Sequence, residues 1–299
     1  MKREKRSKFM KIGLDLFLYT IILVPLLLSI LGYLHLETGS FNCNDSSINL
    51  HFRGNSVSRK HILTFIFLPI IALVYLTEWV QISAPELRSR CKESGRRTLF
   101  IFIRYWIACT VNILVNDVLK VLTAVPRPHF LETCQPDWDN INCTDNGGNV
   151  MFRRSICLSE NTKAVLDSMK SWPSGHAQLI SFSAVYMAVY IEKRIGEQTS
   201  LIGKRLLQII LFVITVYSSA SRIQDQRHHV SDVFAGLLIG SVLALLFSRN
   251  IIPTSWNILQ DDENETDDMN ETGPSTQKFI ADKFRETSRE RELKEINMA

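Results

Sequence analysis

At 299 residues and a formal net charge of +4, the chain has the size and charge of one or two soluble domains, and 46% hydrophobic with 21% charged residues is an ordinary average. The average conceals segregation. Charge gathers at the two ends and in a few loops, while several apolar runs reach the roughly 20 residues needed to cross a bilayer, which excludes a soluble fold. Nucleic acid is a poor partner, because no basic face interleaved with aromatics accompanies the positive charge.

Lys2, Arg3, Lys5, Arg6, Lys8 and Lys11 form a basic leader, residues 1–11, ahead of an apolar run from Ile12 to Leu36. The run is too long for a signal peptide and lacks a small-residue cleavage site, so it reads as an uncleaved first membrane helix kinked at Pro25. A second span is expected from Ile62 to Ile82, with Trp79 suited to the interface. The third, Thr98–Val125, carries Arg104, Asn112, Asn116, Asp117 and Lys120; such groups are costly in a bilayer and are expected to face the bundle interior or a functional site. The fourth covers Gly175–Ile191, the fifth Leu206–Ala220 and the sixth Val230–Phe247. Gly236 and Gly240 in the sixth make a G-x-x-x-G step, open to close helix approach or to a reading as ordinary small residues. The expected fold is all-α, a six-helix membrane domain over residues 12–250. A polar, acidic tail, 251–299, buries too little apolar surface to fold alone and is assigned no chemistry.

Six spans put both termini on one side. Basic clusters at Arg88–Arg97 and Lys193–Arg205 then share the side of the basic leader, so the positive-inside rule makes both termini cytosolic. Glu37–Lys60, Pro126–Ser174 and a turn at Ser221–His229 are left facing outward. Asn44 and Asn142 lie there in glycosylation triplets. So do Cys43, Cys134, Cys143 and Cys157, in a compartment that permits disulfides; they allow three pairings, and free thiols are the alternative.

The polar residues at the outer helix ends form a set. Lys120, Arg127 and Arg222 are permanent cations suited to phosphate oxygens. Ser174 and Gly175 precede a helix whose first N–H groups attract anions. His176, His228 and Asp232 complete the group. His228 and Asp232 share a helical face if the sixth helix starts early, and the carboxylate can then hold one ring nitrogen while the other attacks. Taken singly, each residue has a plainer reading: a snorkelling cation, a helix cap, a structural histidine. A metal held by the histidines and Asp232 is a further alternative, opposed by the three neighbouring cations.

Three segments, Lys120–Pro128 (KVLTAVPRP), Pro173–His176 (PSGH) and Ser221–Asp232 (SRIQDQRHHVSD), resemble the signature motifs of the type 2 phosphatidic acid phosphatase superfamily, with every signature residue at its spacing. Arg127–Asp145 resembles the eukaryotic lipid phosphate phosphatases in particular, and the likeness extends from about Met10 to Asn250, although the first outer loop matches no motif. The resemblance implies that His228 attacks phosphorus and forms a phosphohistidine, that Asp232 orients it, and that His176 protonates the departing alkoxide. It assigns Lys120, Arg127, Ser174, Gly175 and Arg222 to the phosphate, with no cofactor and no metal. A neutral His228 and a protonated His176 imply a bell-shaped pH profile.

The expected substrate is a lipid phosphate such as phosphatidate, lysophosphatidate or a sphingoid phosphate. The active site would be extracellular at the plasma membrane, or lumenal in an endomembrane, and the resemblance admits a homo-oligomer. Three alternatives stand beside this reading. A sugar-phosphate phosphatase is expected to have more spans, a catalytically silent lipid-phosphate-binding relative loses signature residues, and a transporter places its site near the bilayer midplane.

Overall fold

The computed structural model describes residues 39–82, 86–195 and 201–249, with single positions between 17 and 28. The leader and the tail lie outside the described residues. So does most of the expected first span, within which Phe17, Tyr19–Ile21, Leu23–Pro25 and Leu28 are helical. The described residues belong to one compact unit, Met1–Ile251; a second unit, Ile252–Ala299, lies outside them.

The fold is mostly helical. In chain order come a strand β1 (Ser40–Asn42), helices α1 (Arg59–Gln81), α2 (Leu87–Thr123) and α3 (Phe130–Cys134), a strand β2 (Asn149–Met151), then α4 (Thr162–Ser168), α5 (Gly175–Arg194), α6 (Leu201–Gln224) and α7 (Val230–Phe247). Among the described residues four helices are long and apolar enough to cross a membrane: Lys60–Gln81, Leu87–Thr123, Leu201–Gln224 and Val230–Phe247. The expected fourth span, α5, is a helix of 20 residues, and so about 30 Å long, but it buries Gln178, Ser181, Ser183 and Arg194 among its neighbours. It is the central helix of the bundle, and its polarity belongs to the interior.

Helix ends depart from the sequence reading for local reasons. The 37 residues of α2 begin well before Thr98, because Glu93 pairs with Arg96 at 2.6 Å and Arg97 at 2.9 Å, and such i,i+3 and i,i+4 pairs prolong the helix past the apolar stretch. At its other end Ala124 adopts a left-handed conformation with φ 45°, and its N–H bonds the Lys120 carbonyl. Helix α6 continues beyond Ala220 to Gln224, so Ser221 and Arg222 lie within its last turn. Helix α7 begins at Val230 with His229 as N-cap, which leaves His228 ahead of the helix. Arg104 does not face the bundle interior as expected: it is exposed, with its guanidinium 4.8 Å from the Phe100 ring centre.

Two devices fix the bundle. Gly236 and Gly240 lie against α5, where a Cβ on Gly240 would collide with the Gln178 carbonyl and the Ser181 hydroxyl. The G-x-x-x-G step is therefore a close-approach surface. At the opposite end of α5, Glu78 is fully buried and accepts from Arg194 Nε at 2.9 Å, Arg194 Nη2 at 2.8 Å and the Tyr190 hydroxyl at 2.9 Å, joining α1 to α5.

The segments before α1 and between α2 and α5 fold together as a cap with its own apolar core, including Phe41, Ile48, Phe130, Phe152, Val165 and Met169. Strand β1 pairs antiparallel with β2, Phe41 opposite Val150. Of the three cysteine pairings, the structure has Cys43–Cys143 and Cys134–Cys157, both in this cap. Asn44 and Asn142 are exposed on it.

Candidate active site

Where the cap meets the bundle lies a cavity of about 340 Å³. Lys120 reaches it from the end of α2, Arg127 from the cap, Gly175 and His176 from the start of α5, Arg222 from the end of α6 and His228 from the turn before α7. Ser174 and Asp232, the other two residues singled out from the sequence, are buried beside them: the Ser174 N–H donates to the Asp232 carbonyl at 2.9 Å. All eight positions thus converge.

Several are held by identifiable contacts. Gly175 sits so close to α2 that a Cβ would lie 2.9 Å from Asn116 Oδ1, which excludes larger residues without a shift. Asn116 Nδ2 donates to Gln178 Oε1 at 2.8 Å, and Gln178 Nε2 donates to the Asn112 side chain at 2.9 Å. The polar residues of α2 therefore lock the first turns of α5. Arg127 is buried and paired with Asp167 at 2.9 Å, and its N–H donates to the Ser168 carbonyl at 2.7 Å. Asp167 also receives Arg227 at 3.3 Å. The Ser174 hydroxyl is buried and has no partner among the described residues.

The Asp232 carboxylate lies at the first turn of α7. Its Oδ2 accepts from the His229 N–H at 2.8 Å, capping the helix, and from the Ser171 hydroxyl at 2.6 Å. His228 Nδ1 lies 3.6 Å from the same oxygen and 3.5 Å from Ser171 Oγ. The pairing expected from a shared helical face is achieved by a turn instead, with Ser171 set between the partners.

Electrostatics favour a neutral His228. Burial pushes its imidazolium down to about 3, helped by the nearby charges of Arg127 and Lys120 and opposed by Asp232. His229, more exposed, moves up because Asp232 holds its charged form. Burial lowers His129 to about 4, with the Gln226 carbonyl opposing the shift. Among the described residues there is no group of three or more His, Cys, Asp or Glu side chains able to hold a metal ion. The cavity chemistry is that of an anion site: Lys120, Arg127, Arg222 and Arg227 outnumber Asp117 and Asp167, and Ile62, Leu63, Ile113 and Leu179 form an apolar wall.

Sequence reasoning passed over Ser171, Asp167, Arg227 and Asp225. Arg227 and Asp225 stand inside the quoted segment Ser221–Asp232 without a role, and Asp225 at i+3 from Arg222 is a helix-pair spacing that signals a contact. Ser171 and Asp167 carry no local signal, since only tertiary folding brings them to the site.

Residues 101–254 match the PAP2 superfamily, and the chain belongs to it. A Drosophila melanogaster protein named "Putative phosphatidate phosphatase" is 30% identical over 263 residues, covering 81% of this chain and 68% of its own length. "Phospholipid phosphatase 1" of Rattus norvegicus is 27% identical over 208 residues, 68% of this chain and 72% of the relative. "Phospholipid phosphatase 2" of Bos taurus is 26% identical over 213 residues, 71% and 72% of the two chains. No solved structure matches the chain significantly.

Proposed function

We propose that the chain is a lipid phosphate phosphatase that hydrolyses phosphatidate, lysophosphatidate or sphingoid phosphates through a phosphohistidine. One observation carries the reading. A buried histidine kept neutral, His228, lines the same cavity as a second histidine, His176, and four cations. With Nδ1 turned toward Asp232 and Ser171, the Nε2 lone pair of His228 is the nucleophile. It forms an N–P bond as the P–O bond to the lipid breaks, and His176 transfers its proton to the departing alkoxide. Water then attacks phosphorus, His176 takes back a proton, and the N–P bond breaks to release inorganic phosphate. Lys120, Arg127 and Arg222 neutralise the phosphoryl oxygens, with Ser174 and the Gly175 N–H at the start of α5 as further donors.

The apolar wall of Ile62, Leu63, Ile113 and Leu179 and the names of the relatives favour a lipid over a soluble phosphate. The reading includes six spans with both termini cytosolic, supported by the basic clusters, and an active site facing the exterior at the plasma membrane or a lumen. Asn44 and Asn142 carry the glycans, and the membrane domain of residues 12–250 acts between a cytosolic leader and tail, alone or as a homo-oligomer.

The test is phosphate release from phosphatidate in mixed micelles containing EDTA, comparing the wild type with His228→Ala. Release that disappears in the variant supports the mechanism. Equal release from both refutes the assignment of His228, loss of wild-type release with EDTA returns the metal alternative, and silence from a folded wild type favours a binding or transport role.

A further inference from the structure

The segment at residues 50–56 matches no motif, yet it touches the cavity-lining Arg222 and Arg227. The Leu50 N–H donates to the Pro128 carbonyl at 2.8 Å, beside Arg127. The Arg227 guanidinium lies 5.3 Å from the Phe52 ring centre. The tightest contacts come at its end. Asp225, 4% exposed, accepts on Oδ2 from the Ser56 N–H at 2.8 Å and on Oδ1 from the Ser56 hydroxyl at 2.5 Å. The same Oδ2 receives Arg222 Nη2 at 2.8 Å, and Arg222 Nη1 lies 3.5 Å from Asn55 Oδ1. Arg222 is 1% exposed and lines the cavity.

From this arrangement we infer that Ser56 and Asp225 are positioning residues for the phosphate-binding Arg222, which makes the 50–56 segment a working part of the site. The inference rests on the proposed role of Arg222. Asp225 has both oxygens committed, so the guanidinium it holds is fixed in direction before substrate arrives. A buried guanidinium on a helix end has many rotamers, and holding one of them removes an ordering penalty from phosphate binding. The segment is anchored at both ends, by the Cys43–Cys143 bridge upstream and by α1, whose N-cap is Ser58, downstream. Its shape is therefore imposed jointly by the cap and by the bundle.

The experiment uses the full chain in mixed micelles and reads inhibition by orthovanadate, a phosphate mimic, together with kcat and KM for phosphatidate. Ser56→Ala removes one hydrogen bond to Asp225 and is expected to weaken vanadate inhibition and raise KM about three- to tenfold, with kcat changed less. Ser56→Thr, which keeps the hydroxyl, restores both. Asp225→Asn is expected to weaken vanadate by more than about tenfold; if it does not fold, the Ser56 pair decides. Arg222→Gln is the control. If it weakens vanadate inhibition while Ser56→Ala and Asp225→Asn leave it at the wild-type value, the positioning role is refuted and the phosphate role of Arg222 stands. If Arg222→Gln itself leaves inhibition unchanged, both fall.

Discussion

Substituting Gly236 by alanine adds one methyl group remote from the cavity surface, yet it should remove most activity. A Cβ at this position would lie 2.5 Å from the Ser174 carbonyl oxygen, 3.1 Å from the Gln178 nitrogen and 3.3 Å from Ala177 Cβ. Ordinary contact begins at 3.4 Å, so α7 and α5 must separate by about 0.9 Å at the Ser174 carbonyl, which is backbone and cannot rotate away. The stability penalty of such overpacking is about 1–3 kcal/mol, which a folded protein can survive. The displacement is more damaging than the penalty, because Ser174 and His176 ride on α5 while His228 and Asp232 ride on α7 and the turn before it. A misplacement of about 1 Å between reacting groups costs roughly a hundredfold in rate. Gly236→Ala should therefore retain a folded, monodisperse protein whose kcat for phosphatidate falls by about two orders of magnitude. Phosphate release, normalised to folded protein by size-exclusion chromatography, measures it. Wild-type kcat in a folded Gly236→Ala variant would refute the argument that this contact sets the spacing of the two histidines.

Other perturbations probe separate features. Burial pushes His228 down to about 3, so the acid limb of the bell-shaped profile expected from the sequence should lie below pH 5; a wild-type kcat/KM that already falls on acidification through about 6.5 would contradict this. His228 and His129 both titrate below the ordinary 6.5 when folded, so the stability gained by keeping them neutral is complete above pH 6.5 and is lost as pH falls toward about 4 and 3. Thermal unfolding in detergent at pH 7 and pH 4.5 should show the lower melting temperature in acid. Glu78→Ala strands Arg194, whose side chain is 2% exposed, and should cost about 3–5 kcal/mol, lowering the melting temperature by more than about 5 °C. An unchanged melting temperature would show that water or lipid satisfies Arg194. Replacing Cys134 and Cys157 together by serine opens a bridge of sequence separation 23 and should cost about 3 kcal/mol, seen as faster proteolysis of the cap.

The helices were legible where hydrophobic length decides them: α7 has the expected bounds Val230–Phe247, because Asp232 and His229 cap one end and the apolar run stops at the other. Ends decided by charge were not, as the early start of α2 and the late end of α6 illustrate. The convergence of the eight candidate residues was legible because their chemistry is unusual at helix ends and their motif spacing is specific. What escaped was whatever depends on contacts between distant segments. Ser171 meets Asp232 across 61 residues and Ser56 meets Asp225 across 169, separations at which no spacing rule operates. The core of the cap is not legible in the outer loops that build it, because its apolar residues come in twos and threes, too few in any one stretch to announce a core.

The glycine contact between α5 and α7 also sets one pair of helices apart from the rest of the bundle, because their backbones meet directly. His176 and Asp232 stand on helices pressed together without side chains between them at Gly236 and Gly240, and Ser174 and His228 stand just ahead of those helices. Lys120, Arg222, Ile62, Leu63 and Ile113 are carried by α1, α2 and α6, and α2 meets α5 through side chains such as Asn116 on Gln178. A change of side-chain bulk or tilt on α1, α2 or α6 can therefore reshape the cavity wall while the spacing of His176 and His228 stays fixed by the glycine contact.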